Sequence, residues 1–149
     1  MRFIISNRGN KKIPISKVQK ILSKNVIGKY SCKDIVEPGD IVQVCQDEKY
    51  DIEKCKRGGS YKVIGVVSTV PNIISNKEDK QILVTLKGRA ICKVQGPIHK
   101  GDPIISYDDG IGVSKFAPGL ASNSSSRIIG ISLENIEIEI VKKIEIVVL

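Results

Sequence analysis

The chain has no tryptophan, two phenylalanines, one histidine and only three alanines, and each scarcity removes a class of function. Nucleophilic catalysis needs a nucleophile, a base and a group to orient that base, so the lone His99 would have to carry it. Reading nucleic acid on a β-surface rests on aromatic stacking worth about 1–3 kcal/mol per base, and the four tyrosines and two phenylalanines are scattered. No CxxC pair occurs among Cys32, Cys45, Cys55 and Cys92, so neither a zinc knuckle nor any other metal or cofactor site is expected. No apolar run approaches the roughly 18 residues of a membrane span, and the short FII after Met1-Arg2 falls below a signal-peptide core. The product is therefore expected to stay soluble in the cell that makes it, with its thiols reduced and mostly buried.

Acids are also missing from one end. Residues 1–33 hold nine Lys or Arg and no Asp or Glu, whereas residues 34–149 carry 15 bases and 16 acids. The net charge of +8 thus belongs to an N-terminal arm, a segment suited to an acidic protein surface, a nucleic acid or an anionic membrane. Within it, Val18, Ile21, Leu22 and Val26 recur near a helical spacing, which predicts at most one short helix needing a partner surface to be stable.

What the chain does have is 41 Ile and Val residues against six Leu. β-branched side chains suit pleated strands, and the length fits one domain. The pattern agrees from Ile35 onward, where short apolar runs are broken by Gly, Pro, Asp and Asn. Strands are expected at 40–45, 61–69, 81–88, 90–96, 102–107, 110–115, 127–135 and 143–149, with tight connections at Gly88-Arg89 and Asp108-Asp109-Gly110. The reading is an all-β chain: a basic arm over 1–35, then a compact β-barrel or sandwich over 36–149.

An internal echo organises that domain. PGDIVQV (38–44) leads to YKVIGVVST (61–69), and KGDPIIS (100–106) leads to RIIGISLEN (127–135). Each copy is a Gly-Asp turn, a strand, a variable hairpin and a strand with an internal Ile-Gly. A mid-strand glycine marks a bulge or a close backbone approach, so two of them predict a repeated barrel corner.

The dense stretch CKVQGPIHKGDPIISYDDGIGVSK (92–115) then reads as turn punctuation. His99 sits beside Lys100 in an exposed turn, and Asp108-Asp109 point to opposite faces if extended and bind backbone N–H groups if turned. KRGGS (56–60) lacks the GxxxxGK[ST] phosphate loop and reads as a flexible hairpin tip, while ASNSSSR (121–127) offers Asn and Ser for self-cleavage but reads as a mobile loop.

EPGDIV (37–42), VIGVVST (63–69), LKGRAICKVQGPIHKGDPI (86–104), IIGISLEN (128–135) and IEIVVL (144–149) occur in an order that resembles the β-rich module of phage tail-fibre and appendage-like proteins. There is a looser likeness to phage head-decoration proteins. The resemblance covers residues 36–149 and implies a non-enzymatic virion subunit, commonly a homotrimer, made in the cytoplasm of a bacterial host. With only the basic arm upstream and no shaft, it favours a capsid-decoration or tail-appendage subunit clamped onto major capsid or tail subunits. The arm would dock through Arg8, Lys11, Lys12, Lys17 and Lys20, with Ile13, Ile15, Val18 and Ile21 as apolar anchors. Nucleic acid is a less favoured partner, a membrane is not expected, and a hydrolytic or self-cleaving domain is the third reading.

Overall fold

The computed structural model describes residues 25–69, 81–117 and 126–149. The nine expected docking residues, most of the expected short helix and most of the Ser-rich loop lie outside the described residues; Val26, the last apolar position of that expected helix, is the first residue of a strand. Among the described residues nine strands follow in chain order: β1 (Val26–Ser31), β2 (Ile41–Val44), β3 (Ile52–Lys54), β4 (Val63–Val67), β5 (Gln81–Gln95), β6 (Pro103–Ser106), β7 (Gly112–Ser114), β8 (Ile128–Ser132) and β9 (Val141–Val148). The all-β expectation holds, with three corrections. The runs at 81–88 and 90–96 form one 15-residue strand, because Gly88 takes φ +111° inside β5 without reversing the chain. The short strand β3 was not foreseen. Val26–Ser31, assigned to the arm, pairs antiparallel with the first half of β5.

That long strand is shared by two substructures. Its second half starts a closed five-stranded barrel, β5-β7-β6-β8-β9 and back to β5. Its first half lies between β1 and β4, and β4 continues through β2 to β3. A parallel bridge between Cys32 and Ile52 ties β3 back to the end of β1, so this N-terminal lobe closes the same circuit with a single bridge.

The echo is therefore a duplication of structure. Strand β2 shifts register between Val42 and Gln43 opposite β4, and β6 shifts between Ile104 and Ile105 opposite β8. In each copy the internal glycine faces the residue just before the shift: Gly65 faces Val42, and Gly130 faces Ile104. A Cβ on Gly65 would lie 2.2 Å from the Thr85 carbonyl oxygen, and one on Gly130 would lie 2.5 Å from that of Val147. Only glycine admits so close a crossing of backbones. The Gly-Asp turns match as well. Gly39 and Gly101 have φ +102° and +94°, and the Asp40 and Asp102 carboxylates accept the N–H groups of Glu37 and His99, each at 2.9 Å.

Alternation fills the two interiors. Ile144, Ile146 and Val148 of β9 are buried, with Glu145 and Val147 between them on the outer face. They join Cys92, Val94, Ile98, Ile104, Ile129 and Ile136 in the main core, which also takes in Ile41, Cys55, Val63 and Val66 from the lobe. The lobe keeps a smaller core of Cys32, Val42, Ile52, Val67 and Val84. Fully burying one such Ile or Val contributes about 1.5–3 kcal/mol, so the lobe gains much of its stability from leaning on the barrel.

Candidate functional site

The most informative local difference between the copies lies on β2 and β3. In the barrel the facing pair is Ile105 and Val113, both buried. At the matching positions the lobe has Gln43 and Glu53, in register and just as buried. Replacing a well-packed apolar pair by a buried polar one does not favour stability, so this exchange marks the place where the lobe departs from its repeat for another reason.

The pair is fully wired. Gln43 Nε2 donates to Glu53 Oε2 at 2.9 Å, and Gln43 Oε1 accepts the Lys56 N–H at 3.1 Å. Lys56 Nζ lies 3.1 Å from Glu53 Oε1, which also receives the Cys45 thiol at 3.8 Å. Burial alone would raise the pKa of Glu53, but the Gln43 amide and the Lys56 ammonium more than offset it and hold the carboxyl below its ordinary value. The tip at 56–60 is thereby tied down: Gly59 packs so tightly on Gln43 that a Cβ would lie 2.3 Å from Oε1.

Over this pair opens a groove of about 350 Å³, rimmed by Lys33, Lys56, Arg57, Tyr61 and Lys62. A carboxyl held below its ordinary pKa, as that of Glu53 is, makes a weak general base. The lining is polar, with Gln43, Gln46, Asp47 and Glu53 beside the cationic side chains, a chemistry that suits a polar group better than an apolar one.

A second polar cluster joins the two substructures. Asp40, with no exposed surface, forms an ion pair at 2.8 Å with Lys93 Nζ on β5. Lys93 also pairs with Glu37, and Lys143 Nζ reaches Glu37 Oε2 at 3.5 Å. Burial pulls the Lys93 pKa down, but Asp40 and Glu37 more than offset this and raise it. Backbone bonds run through the same seam: the Lys93 N–H donates to Gly39 O, and the Ile41 N–H donates to Gly110 O, both at 2.8 Å. This is a structural clamp.

The other residues singled out in the sequence fall into place around these features. His99 is 79% exposed, and its Nδ1 lies 3.8 Å from Asp102 Oδ2, while Ser114 Oγ donates to the same oxygen at 3.0 Å. The three residue types of a catalytic triad are present, but in the wrong order. The carboxylate stands between the other two, and buried Ser114 does not meet the imidazole. Asp108 accepts the Arg57 N–H and Asp109 pairs with Lys54, so the two acids, which line one open cleft with Asp34 and Lys56, hold neighbouring hairpins together through separate partners. All four cysteines are free and buried. Burial raises the Cys55 thiol to about 12 and pushes Cys92 higher still, which keeps both unreactive. Among the described residues no cluster of three or more His, Cys, Asp or Glu is placed to hold a metal ion.

Gln43 and Glu53 were not foreseen as site residues. The echo held the signal: aligning GDIVQ (39–43) with GDPII (101–105) sets Gln43 against Ile105.

No protein-family model matches the chain, and no curated protein does. The fold is similar to that of a C-terminal fragment of bacteriophage phi29 gene product 12. The TM-score is 0.51 at 15% sequence identity, over 81% of this chain and 96% of that one. At this identity the likeness concerns the fold.

Proposed function

We propose that this protein is a non-enzymatic structural subunit of a phage or prophage virion, acting as a capsid-decoration or tail-appendage component. The observation that carries the reading is the two-part β-fold, which nearly all of the phi29 gene product 12 fragment matches. Two further features support it. The polar clusters are wired for holding and joining, and positive charge is concentrated in the 33 N-terminal residues while the rest of the chain is near balance. In this reading the arm docks on major capsid or tail subunits through Arg8, Lys11, Lys12, Lys17 and Lys20, with Ile13, Ile15, Val18 and Ile21 as anchors. Copies assemble as a homotrimer in the virion after synthesis in the host cytoplasm, and several modest arm contacts per assembly multiply through effective concentration.

The test is co-sedimentation of the full chain with host-phage particles, comparing wild type with a variant in which Lys11, Lys12, Lys17 and Lys20 become Glu. Loss of particle binding is expected. Unchanged binding sinks the docking role. If the protein instead binds DNA with a steep salt dependence, the nucleic-acid reading replaces this one. A fragment cut between Asn123 and Ser126, seen by mass spectrometry, would point to self-cleavage.

A further inference from the structure

Strand β1 is paired along one side only. It forms a ladder with β5 and meets β3 on its other side through the single Cys32–Ile52 bridge. Which of its backbone groups face that second side follows from Ser31. The Ser31 N–H donates to Asp51 Oδ2 at 3.0 Å, and the Asp51 N–H donates to the Ser31 C=O at 3.1 Å, so both Ser31 groups point away from β5. Along an antiparallel strand this direction alternates from residue to residue. Gly28 and Tyr30 therefore bond to β5, and Ile27 and Lys29 face outward with Ser31. The far side of β5 agrees: Leu83, the register partner of Lys29, gives its C=O to the Ser68 N–H at 2.8 Å, next to β4.

On both sides of this stretch, side chains close the edge. Asp51 takes the Ser31 groups, and Asp34 Oδ2 accepts the Lys54 N–H at 2.8 Å. At the other end Asn25 covers Arg89 of β5: Nδ2 donates to Arg89 O at 3.1 Å, and Oδ1 accepts the Arg89 N–H at 3.2 Å. Between these caps lie the N–H and C=O groups of Ile27 and Lys29, and no described residue meets them. An open edge of this kind is a template for another strand.

The open stretch is symmetric about Gly28. Two copies of β1 laid antiparallel with a two-fold axis at Gly28 set Ile27 of each opposite Lys29 of the other. Both pairs then exchange N–H and C=O hydrogen bonds, which uses every open group of the stretch. Gly28 meets its own counterpart in the pair between them, where Cα atoms approach to about 4.5 Å. Val26, 51% exposed, falls opposite the half-buried Tyr30 of the second copy. Other axes fit worse. An axis at Lys29 sets two ammonium groups face to face, which destabilises, and brings Ile27 against the capped Ser31. The axis at Gly28 instead lays the Lys29 stem along Ile27.

We propose that β1 is an interface strand: it pairs antiparallel with β1 of a second copy about Gly28 and joins two lobes edge to edge through the backbone of Ile27 and Lys29. The proposal does not rest on the virion reading, since such a contact doubles a monomer and a homotrimer alike.

Sedimentation equilibrium of the full chain tests it. The wild type is expected at twice the mass of Lys29→Pro, which removes an outward N–H and leaves the bonds to β5 in place, a setting in which an edge strand tolerates proline. Slow exchange of the Gly28 and Tyr30 amides in that variant reports an intact β1. A second pair of variants leaves the backbone unchanged. Ile27→Lys sets like charges opposite each other and should raise the dissociation constant about tenfold, whereas Ile27→Glu faces Lys29 of the other copy and should keep the association. Equal masses for wild type and Lys29→Pro overturn the proposal, whether both are single units or both are doubled with β1 intact. So does an Ile27→Glu variant that associates as weakly as Ile27→Lys.

Discussion

The N-terminal lobe and the C-terminal barrel run through the same circuit of five strands, yet the closing join is shorter in the lobe. The barrel closes where β7 runs parallel to β5, at Val94–Gly112 and Gln95–Val113. The lobe closes by one bridge at Cys32 and Ile52, and lends Ile41, Cys55, Val63 and Val66 to the larger core. A duplicated unit can give up self-sufficiency when its neighbour supplies the missing burial. That freedom lets the lobe carry a buried Gln43–Glu53 pair where the barrel carries Ile105 and Val113.

The sharpest break in the comparison is at the two aspartates of the matching turns. Asp40→Ala leaves Lys93 without its buried partner and is expected to cost about 3–5 kcal/mol. Asp102→Ala removes hydrogen bonds in an exposed turn and should cost about 1–2 kcal/mol. Urea unfolding of both variants decides, and equal losses would mean that the clamp does not set the lobe apart.

Making the lobe resemble the barrel is the next test. Gln43→Ile with Glu53→Val replaces the polar pair by the apolar one, and a gain of about 1–2 kcal/mol is expected in the same assay. A loss of that size would show the pair to be structural and remove the groove as a candidate site.

The two mid-strand glycines should behave alike. Gly65→Ala and Gly130→Ala are each expected to destabilise by about 1–3 kcal/mol through overpacking against a carbonyl, Gly65 more, because its crossing is closer. If Thr85 and Val147 shift without cost, thermal melts of both variants will match wild type.

The effect of pH separates the regions again. Glu53 has a folded pKa below its ordinary 4.5, so its contribution is present above that value and fades as pH falls through the lower folded one. The wild type should therefore lose more melting temperature on acidification than Glu53→Gln. Parallel curves would show that the carboxylate contributes nothing to folding. The smallest effect belongs to His99→Ala, expected within about 0.5 kcal/mol of wild type, since the imidazole is exposed and its turn is held by backbone bonds.

Much of this was legible in the chain. The Ile and Val excess, the Gly-Asp turns and the paired Ile-Gly strands gave the all-β class and the repeat, because local steric rules act at those residues whatever surrounds them. Two strands escaped. β3 is three residues long, too short for alternation to register, and β1 is rich in Gly, Lys and Ser, so its pairing with β5 supplies what its own composition does not. The supposed turn at Gly88-Arg89 misled for a related reason. A positive-φ glycine also lets one strand pass from one set of partners to another, and only the identity of those partners tells the two uses apart.

By itself, then, the sequence determined the fold class, the duplicated unit and the placing of positive charge at one end, all consequences of side-chain shape, backbone freedom and net charge along the chain. Only the tertiary structure decided that Asp40 belongs to a clamp while Asp102 does not, that Gln43 and Glu53 form a pair beneath a cationic rim, and that Pro103, Ile131 and Val147 stay half-buried while Ile41, Val66 and Thr85 are buried. Those outcomes depend on which surfaces meet, and burial and pairing are properties of neighbours in space.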